Sequence, residues 1–201
     1  MNNNIDKNYY YIAGLCFLTY LFYLVFEFIF TSGQMGVPLD DTWIHFQFAD
    51  NFAKGLFFEY NPGEPTAGTT SPLYVIVLAA FSFLIKNFIV NSIFISASFH
   101  LLSCLFVYKI SLLIFNRVDS PLNIGKVHFP ARFISFLTAL LTLLAGRFTW
   151  AGLSGMETTM FTFFCLAGLY YHIKNLQQQR FNIIPCLLFA MATVSRPEGF
   201  L

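Results

Sequence analysis

Long apolar runs separated by short polar breaks dominate the hydropathy pattern of this chain. A membrane crossing takes about 20 helical residues, and several runs reach or approach that length. The runs cover residues 9–30, 72–85, 88–115, 133–150, 158–173 and 183–194. Backbone groups in lipid must form hydrogen bonds within their own segment, so each run predicts a helix. The pattern therefore predicts an all-α protein, a polytopic transmembrane helical bundle with five to six membrane segments.

The second run leaves the number of crossings open. Residues 72–85 make a helix of only about 21 Å, which is short of the roughly 30 Å hydrocarbon core. Basic residues favour the cytoplasmic side, and they flank two of the breaks: Lys109, Arg117, Lys126 and Arg132 around one, Lys174 and Arg180 around the other. If the N-terminus is also cytoplasmic, an odd number of crossings must follow the external loop 31–71. We favour one half-inserted or re-entrant segment over two full crossings that violate the positive-inside rule.

Composition agrees with membrane insertion. Hydrophobic residues make up 57% of the chain and charged residues only 10%, against roughly 25% in globular proteins. The net charge of +1, without a basic stripe, excludes an electrostatic nucleic-acid binder. The four cysteines and four histidines are dispersed and show no zinc or C-x-x-C spacing. The chain stops inside continuing apolar sequence, so we interpret residues 1–201 as the N-terminal module of a longer protein.

The external loop 31–71 carries the most informative polar residues. Asp40 and Asp41 precede a segment whose apolar positions recur every fourth residue, at Ile44, Phe48 and Phe52. This spacing predicts an amphipathic helix at the membrane interface, ended by Gly55, with Asp41 at its N-cap. A capping role explains Asp41 without catalysis but leaves Asp40 unexplained. The pair could otherwise act as a general base and as a metal or substrate ligand.

The end of the same loop combines a turn with the start of a helix. Residues 61–64 form a strong turn signal, and Ser71 followed by Pro72 is typical of a helix N-terminus. A helix that begins beside Thr69 and Thr70 offers N–H and hydroxyl donors to a phosphate. An ordinary cap on a membrane helix explains the same residues equally well.

Two later polar positions also have a structural and a functional interpretation. Ser154 and Glu157 have the spacing of a capping box, in which the glutamate bonds to the serine backbone. Glu157 is otherwise a candidate substrate-binding carboxylate. Arg196 follows an apolar run and precedes Pro197. Its side chain either reaches the membrane interface or holds a phosphate with its guanidinium fork.

Four motifs in this order resemble bacterial members of the GT-C superfamily, membrane glycosyltransferases that use polyprenol-phosphate-linked sugars as donors. The order and spacing are similar to those of the arabinofuranosyl- and mannosyltransferase-like branches. The motifs are Asp40-Asp41-Thr42-Trp43-Ile44, then Asn61-Pro62-Gly63-Glu64 with Gly68-Thr69-Thr70-Ser71-Pro72-Leu73, then Ser154-Gly155-Met156-Glu157-Thr158, and finally Arg196-Pro197-Glu198-Gly199.

The resemblance implies an enzyme of the bacterial inner membrane that transfers a sugar from a polyprenol-phosphate donor to an extracytoplasmic glycan, lipid or protein. Asp40 or Asp41 would deprotonate the acceptor, with or without a divalent metal ion held by the same carboxylates. The resemblance also implies substrate-binding residues, namely Glu64, Thr69, Thr70, Glu157 and Arg196. Because related enzymes have about twice as many membrane helices, these residues alone could be an inactive fragment.

The alternative is a non-catalytic membrane scaffold or a transporter-like fragment. Such proteins are expected to place paired charges or broken helices near the middle of the bilayer, whereas the polar motifs here concentrate in loops. The enzyme hypothesis carries one geometric condition. The Asp40 loop, the Ser154 turn and Arg196 must all lie on the same side of the membrane.

Overall fold

The computed structural model describes residues 6–117, 122–124 and 127–200, and the predicted predominance of helices is confirmed. The helices are α1 (Lys7–Phe30), α2 (Asp41–Ala53), α3 (Pro72–Ser82), α4 (Phe88–Phe115), α5 (Ala131–Leu143), α6 (Gly146–Leu153), α7 (Thr158–Gln178) and α8 (Ile184–Ser195), followed by a 3-10 turn, Pro197–Phe200. Two short antiparallel hairpins, which the apolar pattern did not predict, pair β1 (Glu59–Asn61) with β2 (Glu64–Pro65) and β3 (Leu122–Ile124) with β4 (Val127–Phe129).

Two helices, α1 and α4, are long and apolar enough to cross a membrane. A third candidate consists of α5 and α6 taken together, although the two are bent by 57°. The prediction of one continuous helix over residues 133–150 is therefore wrong, since Ala145 is extended just before Gly146. Helices α3 and α8 are apolar but have only 11 and 12 residues. A helix of that length is about 16–18 Å long, which is too short for a full crossing.

The ends of α1, α4 and α5 meet at one end of the bundle. The Tyr108 hydroxyl, in the last third of α4, donates to the Asp6 carboxylate at 2.6 Å and accepts from the Asn8 amide at 2.9 Å. Arg132 at the start of α5 lies 4.0 Å from Asp6. The start of α1, the last part of α4 and the start of α5 thus share one end, as the basic residues predict. Lys126 lies outside the described residues.

Helix α3 does not carry the chain to the opposite end. The first residue of α4, Phe88, stacks on Phe46 of α2 with ring centroids 5.7 Å apart. One turn later the Asn91 amide donates to the Leu78 carbonyl of α3 at 3.0 Å. Only α4 therefore has spanning length between residues 72 and 115. The half-inserted position of this segment in the membrane stays a prediction.

Two apolar clusters form the core of the bundle. The first packs α2, α3 and α7 together through Phe48, Tyr74 and Met160. The second joins α1 to α4 and α5, and it contains Cys16 and Cys104 as buried free thiols. The first cluster includes the buried face of α2 and so fixes the position of α2 on the bundle.

Helix α6 approaches α1 and α4 very closely at Gly152. The buried Tyr20 hydroxyl and the buried His100 Nδ1 form a 2.7 Å hydrogen bond that links α1 to α4. A Cβ atom at Gly152 would overlap the Tyr20 hydroxyl. The position therefore requires glycine for space.

We expect Gly152→Ala to destabilise the bundle, because Tyr20 must move and its hydrogen bond to His100 is strained. Overpacking of this kind costs about 1–3 kcal/mol. Thermal unfolding in detergent micelles measures the effect. Gly14→Ala is the matched control, since its Cβ would meet nothing within 4 Å. Equal melting temperatures for the two variants would contradict the packing argument.

Candidate functional site

The N-cap residue of helix α2 lies one position earlier in the sequence than predicted. The carbonyl of Asp40 accepts from the Trp43 N–H at 2.9 Å, and its carboxylate accepts from the Asp41 N–H at 3.1 Å. The N-cap is therefore Asp40, and the assignment to Asp41 is wrong. Both side chains are exposed. Among the described residues no partner is found for the Asp41 carboxylate, so the capping explanation now applies to Asp40.

The far end of α2 anchors the first hairpin. Gly55 ends the helix with φ +86°, as predicted. The buried Asn51 amide donates to the carbonyls of Glu59 at 3.0 Å and Tyr60 at 2.9 Å. These bonds place Glu64 on the rim of an open pocket of about 530 Å³ between α2 and the hairpin. Glu64 is exposed there and is not in contact with Glu157 or Arg196.

The two threonines of the same loop differ in their surroundings. The Thr69 hydroxyl lies 3.4 Å from His45 Nδ1 and accepts from the Ser71 N–H at 3.2 Å. Thr70 is exposed. Ser71 is the N-cap of α3 and Pro72 is its first residue, as predicted, but the Ser71 hydroxyl makes no capping bond. Only Thr69 is thus joined to the interior of the protein.

The turn between α6 and α7 is held by hydroxyl groups from three other helices. Thr42 of α2 donates to the Ser154 carbonyl at 3.2 Å. Tyr74 of α3 donates to the Gly155 carbonyl at 2.6 Å. Ser96 of α4 donates to the Met156 carbonyl at 2.9 Å. The external loop and this turn are therefore neighbours in the structure.

The predicted capping box at this turn does not form. The Ser154 hydroxyl instead donates to the Ala151 carbonyl of the preceding helix at 2.9 Å. Gly155 has φ +71°, and a Cβ there would come within 2.7 Å of the Ser92 hydroxyl. The resulting turn directs the Glu157 carboxylate away from Ser154 and into the protein, where its side chain is only 3% exposed.

The buried Glu157 carboxylate lies between two basic side chains. Its Oε2 atom is 3.3 Å from His45 Nε2, and its Oε1 atom is 3.4 Å from Arg196 Nε. The His45 contact falls outside the direction of a hydrogen bond, so Oε2 lacks a hydrogen-bond partner among the described residues. Burial raises the pKa of the Glu157 carboxyl, but His45, its own backbone N–H and Arg196 outweigh that effect and lower the pKa overall. Glu157 is therefore ionised at neutral pH.

Arg196 is partly exposed and already engaged. Its Nη1 atom donates to the Thr158 hydroxyl at 3.2 Å, and its Nη2 atom donates to the Glu198 carboxylate at 3.1 Å. The guanidinium therefore lies between a buried carboxylate, Glu157, and an exposed one, Glu198. A phosphate that approached from solvent would compete with Glu198 for this fork.

The structure connects three of the predicted residues through His45, which the sequence interpretation did not select: Thr69 and Glu157 contact His45, and Arg196 contacts Glu157. His45 is buried on α2 and lies four residues after Asp41, a spacing that places both on one helix face. That spacing is the one signal that could have identified it.

The remaining candidates lie at the surface: Asp40, Asp41, Glu64 and Thr70. No group of three histidine, cysteine or acidic side chains suited to a metal ion occurs within the described ranges. The Asp40-Asp41 pair offers two exposed carboxylates without a third side chain of this kind among the residues that the structure describes. The buried part of the site, by contrast, combines an imidazole, a carboxylate and a guanidinium, which suits proton transfer and anion binding.

No protein-family model matches the chain, and neither a curated protein nor a solved structure matches it.

We expect Glu157→Gln to lower stability by about 1–3 kcal/mol at neutral pH, because it removes the buried charge that pairs with the Arg196 guanidinium. The pKa of Glu157 is lower in the folded protein, so its contribution is present above the unfolded value of about 4.3 and is lost at lower pH. Melting temperatures measured from pH 7 to pH 3 should converge for wild type and variant. A constant difference across this range would contradict the assignment.

Proposed function

We propose that this chain is a module of a membrane glycosyltransferase that transfers a sugar from a polyprenol-phosphate donor to an extracytoplasmic acceptor. One observation supports the proposal above the others. Residues from three separate sequence motifs form one chain of contacts, in which Thr69 and Glu157 flank the buried His45 and Arg196 lies on the far side of Glu157. A scaffold has no need to collect a hydroxyl, an imidazole, a carboxylate and a guanidinium at one place.

The position of this cluster suits a donor that is delivered in the membrane. Helices α1 and α4 have spanning length, and the cluster lies beside the first third of α4, whereas the Asp6 contacts lie beside its last third. A lipid phosphate at the membrane surface would meet the partly exposed Arg196 there. A multi-pass protein with five to six segments in the bacterial inner membrane is part of the same proposal.

The candidate residues at the surface have different roles in this proposal. Asp40 is occupied as the cap of α2, whereas Asp41 presents its carboxylate one helical turn from His45 on the same face. We therefore assign the functional carboxylate to Asp41. Glu64 and Thr70 would contact substrate only at the rim of the site, since both are exposed.

We expect Asp41→Asn to lower sugar transfer at least about tenfold without loss of folding, because it removes the exposed charge next to the site. Asp40→Asn should have the smaller effect, since asparagine is an equally good N-cap residue. Transfer of labelled sugar from polyprenol-phosphate donors in isolated membranes measures both, and the protein level in the membrane controls for folding. Wild-type activity in both variants would refute the role of the pair.

A second experiment separates the enzyme from a non-catalytic scaffold. Polyprenol phosphate should raise the melting temperature of the detergent-solubilised protein more than the uncharged polyprenol does. Glu198→Gln should strengthen phosphate binding about two- to fivefold, because it removes an exposed competitor worth about 0.5–1 kcal/mol.

Asp50→Asn is the matched control for this variant. It removes an exposed carboxylate that pairs with Lys54 and is distant in sequence from the Arg196 contacts. An equal increase in phosphate affinity in both variants would indicate a general effect of charge. It would contradict the assignment of Arg196 as the phosphate contact. No stabilisation of the wild type by the lipid phosphate would favour the scaffold.

A further inference from the structure

Thr69, His45 and Glu157 form a line that runs from the partly exposed end of the loop into the protein. The Thr69 hydroxyl is 3.4 Å from His45 Nδ1, and His45 Nε2 is 3.3 Å from Glu157 Oε2. His45 is 4% exposed and Glu157 is 2% exposed. Nε2 of His45 contacts the Glu157 carboxylate without hydrogen-bond alignment. In the tautomer that carries its proton on Nε2, Nδ1 is free to accept a hydrogen bond from the Thr69 hydroxyl.

We propose that Thr69 and His45 accept the proton of the acceptor hydroxyl during sugar transfer, while Glu157 positions the imidazole. This inference rests on the proposed function and extends it, since it names where the proton goes. The Asp40-Asp41 pair then orients the acceptor at the surface and does not take its proton.

The proposed step balances without a further reactant. The acceptor O–H proton passes to the Thr69 oxygen as the Thr69 proton passes to His45 Nδ1. The acceptor oxygen forms the new bond to the anomeric carbon, and the bond from that carbon to the phosphate oxygen breaks. The lipid phosphate leaves with the electron pair. His45 ends as an imidazolium beside the Glu157 carboxylate, and it returns its proton through Thr69 when the products leave.

Glu157 suits both a structural role and this one. Its ionised carboxylate pairs with Arg196, and it would also balance the positive charge that the imidazole gains on accepting a proton. The groups that face His45 are Glu157 with Arg196 behind it, and the Tyr74 ring of α3, whose centroid is 5.7 Å away. Asp41 precedes it by one turn on its own helix.

The test compares two substitutions at one position. Thr69→Val keeps the shape of the side chain but removes the hydroxyl, and we expect sugar transfer to fall about 100-fold, the usual contribution of a proton-transfer group. Thr69→Ser keeps the hydroxyl and should retain most activity. The matched control is Thr138→Val in α5, whose half-buried hydroxyl bonds only to the Ile134 carbonyl of its own helix. The control should transfer sugar like the wild type.

The pH dependence of kcat/KM supplies a readout that packing alone would not change. In the wild type and in Thr69→Ser, kcat/KM should fall toward acidic pH, as in any reaction that needs a free general base, whereas His45→Gln should have low activity without that acidic limb. Melting temperatures of the two valine variants control for folding. A wild type that transfers no sugar refutes the proposed function. If the wild type transfers sugar and Thr69→Val is equally active, only the proposed proton transfer through Thr69 and His45 is refuted.

Discussion

The burial of one carboxylate constrains the whole arrangement of the site. Glu157 has almost no contact with solvent, so its charge must be balanced by the protein itself. One partner, His45, comes from the helix of the external loop, and the other, Arg196, follows the last helix. Three elements that are remote in sequence must therefore meet before this charge is stable. The contacts of Glu157 thus link the loop, α7 and the end of α8 in a single cluster.

The turn that presents Glu157 depends on polar residues placed within otherwise apolar helices. Hydroxyl groups of Thr42, Tyr74 and Ser96 satisfy three consecutive carbonyls that an apolar bundle would otherwise leave unpaired. Each hydroxyl comes from a different helix, so the turn is fixed relative to all three. The capping box is absent because the Glu157 carboxylate that would close it points into the protein, where it contacts His45 and Arg196.

The predictability of the structure differs between elements for a physical reason. Helices α1 and α4 follow the apolar runs closely, because lipid forces backbone hydrogen bonds to stay within a segment. The same rule does not place a break such as the one before Gly146, which depends on local conformation and packing. The sequence did not identify His45, because the Glu157 side chain that it contacts lies far away in sequence and no spacing rule connects such a pair. The capping assignment at Asp41 failed by one residue, which is the usual uncertainty at a helix boundary.

Helix α3 shows why a long apolar run need not cross a membrane. Its buried face, formed by Tyr74, Val75 and Leu78, packs against the bundle, and its hydrophobicity is therefore explained by burial in protein. Phe88 at the start of α4 lies against Phe46, so α3 returns the chain to α2 before α4 begins. The Asp40 loop, the Ser154 turn and Arg196 consequently share one end of the bundle. A full crossing at α3 would instead have separated the start of α4, including Ser96, from the turn that it holds.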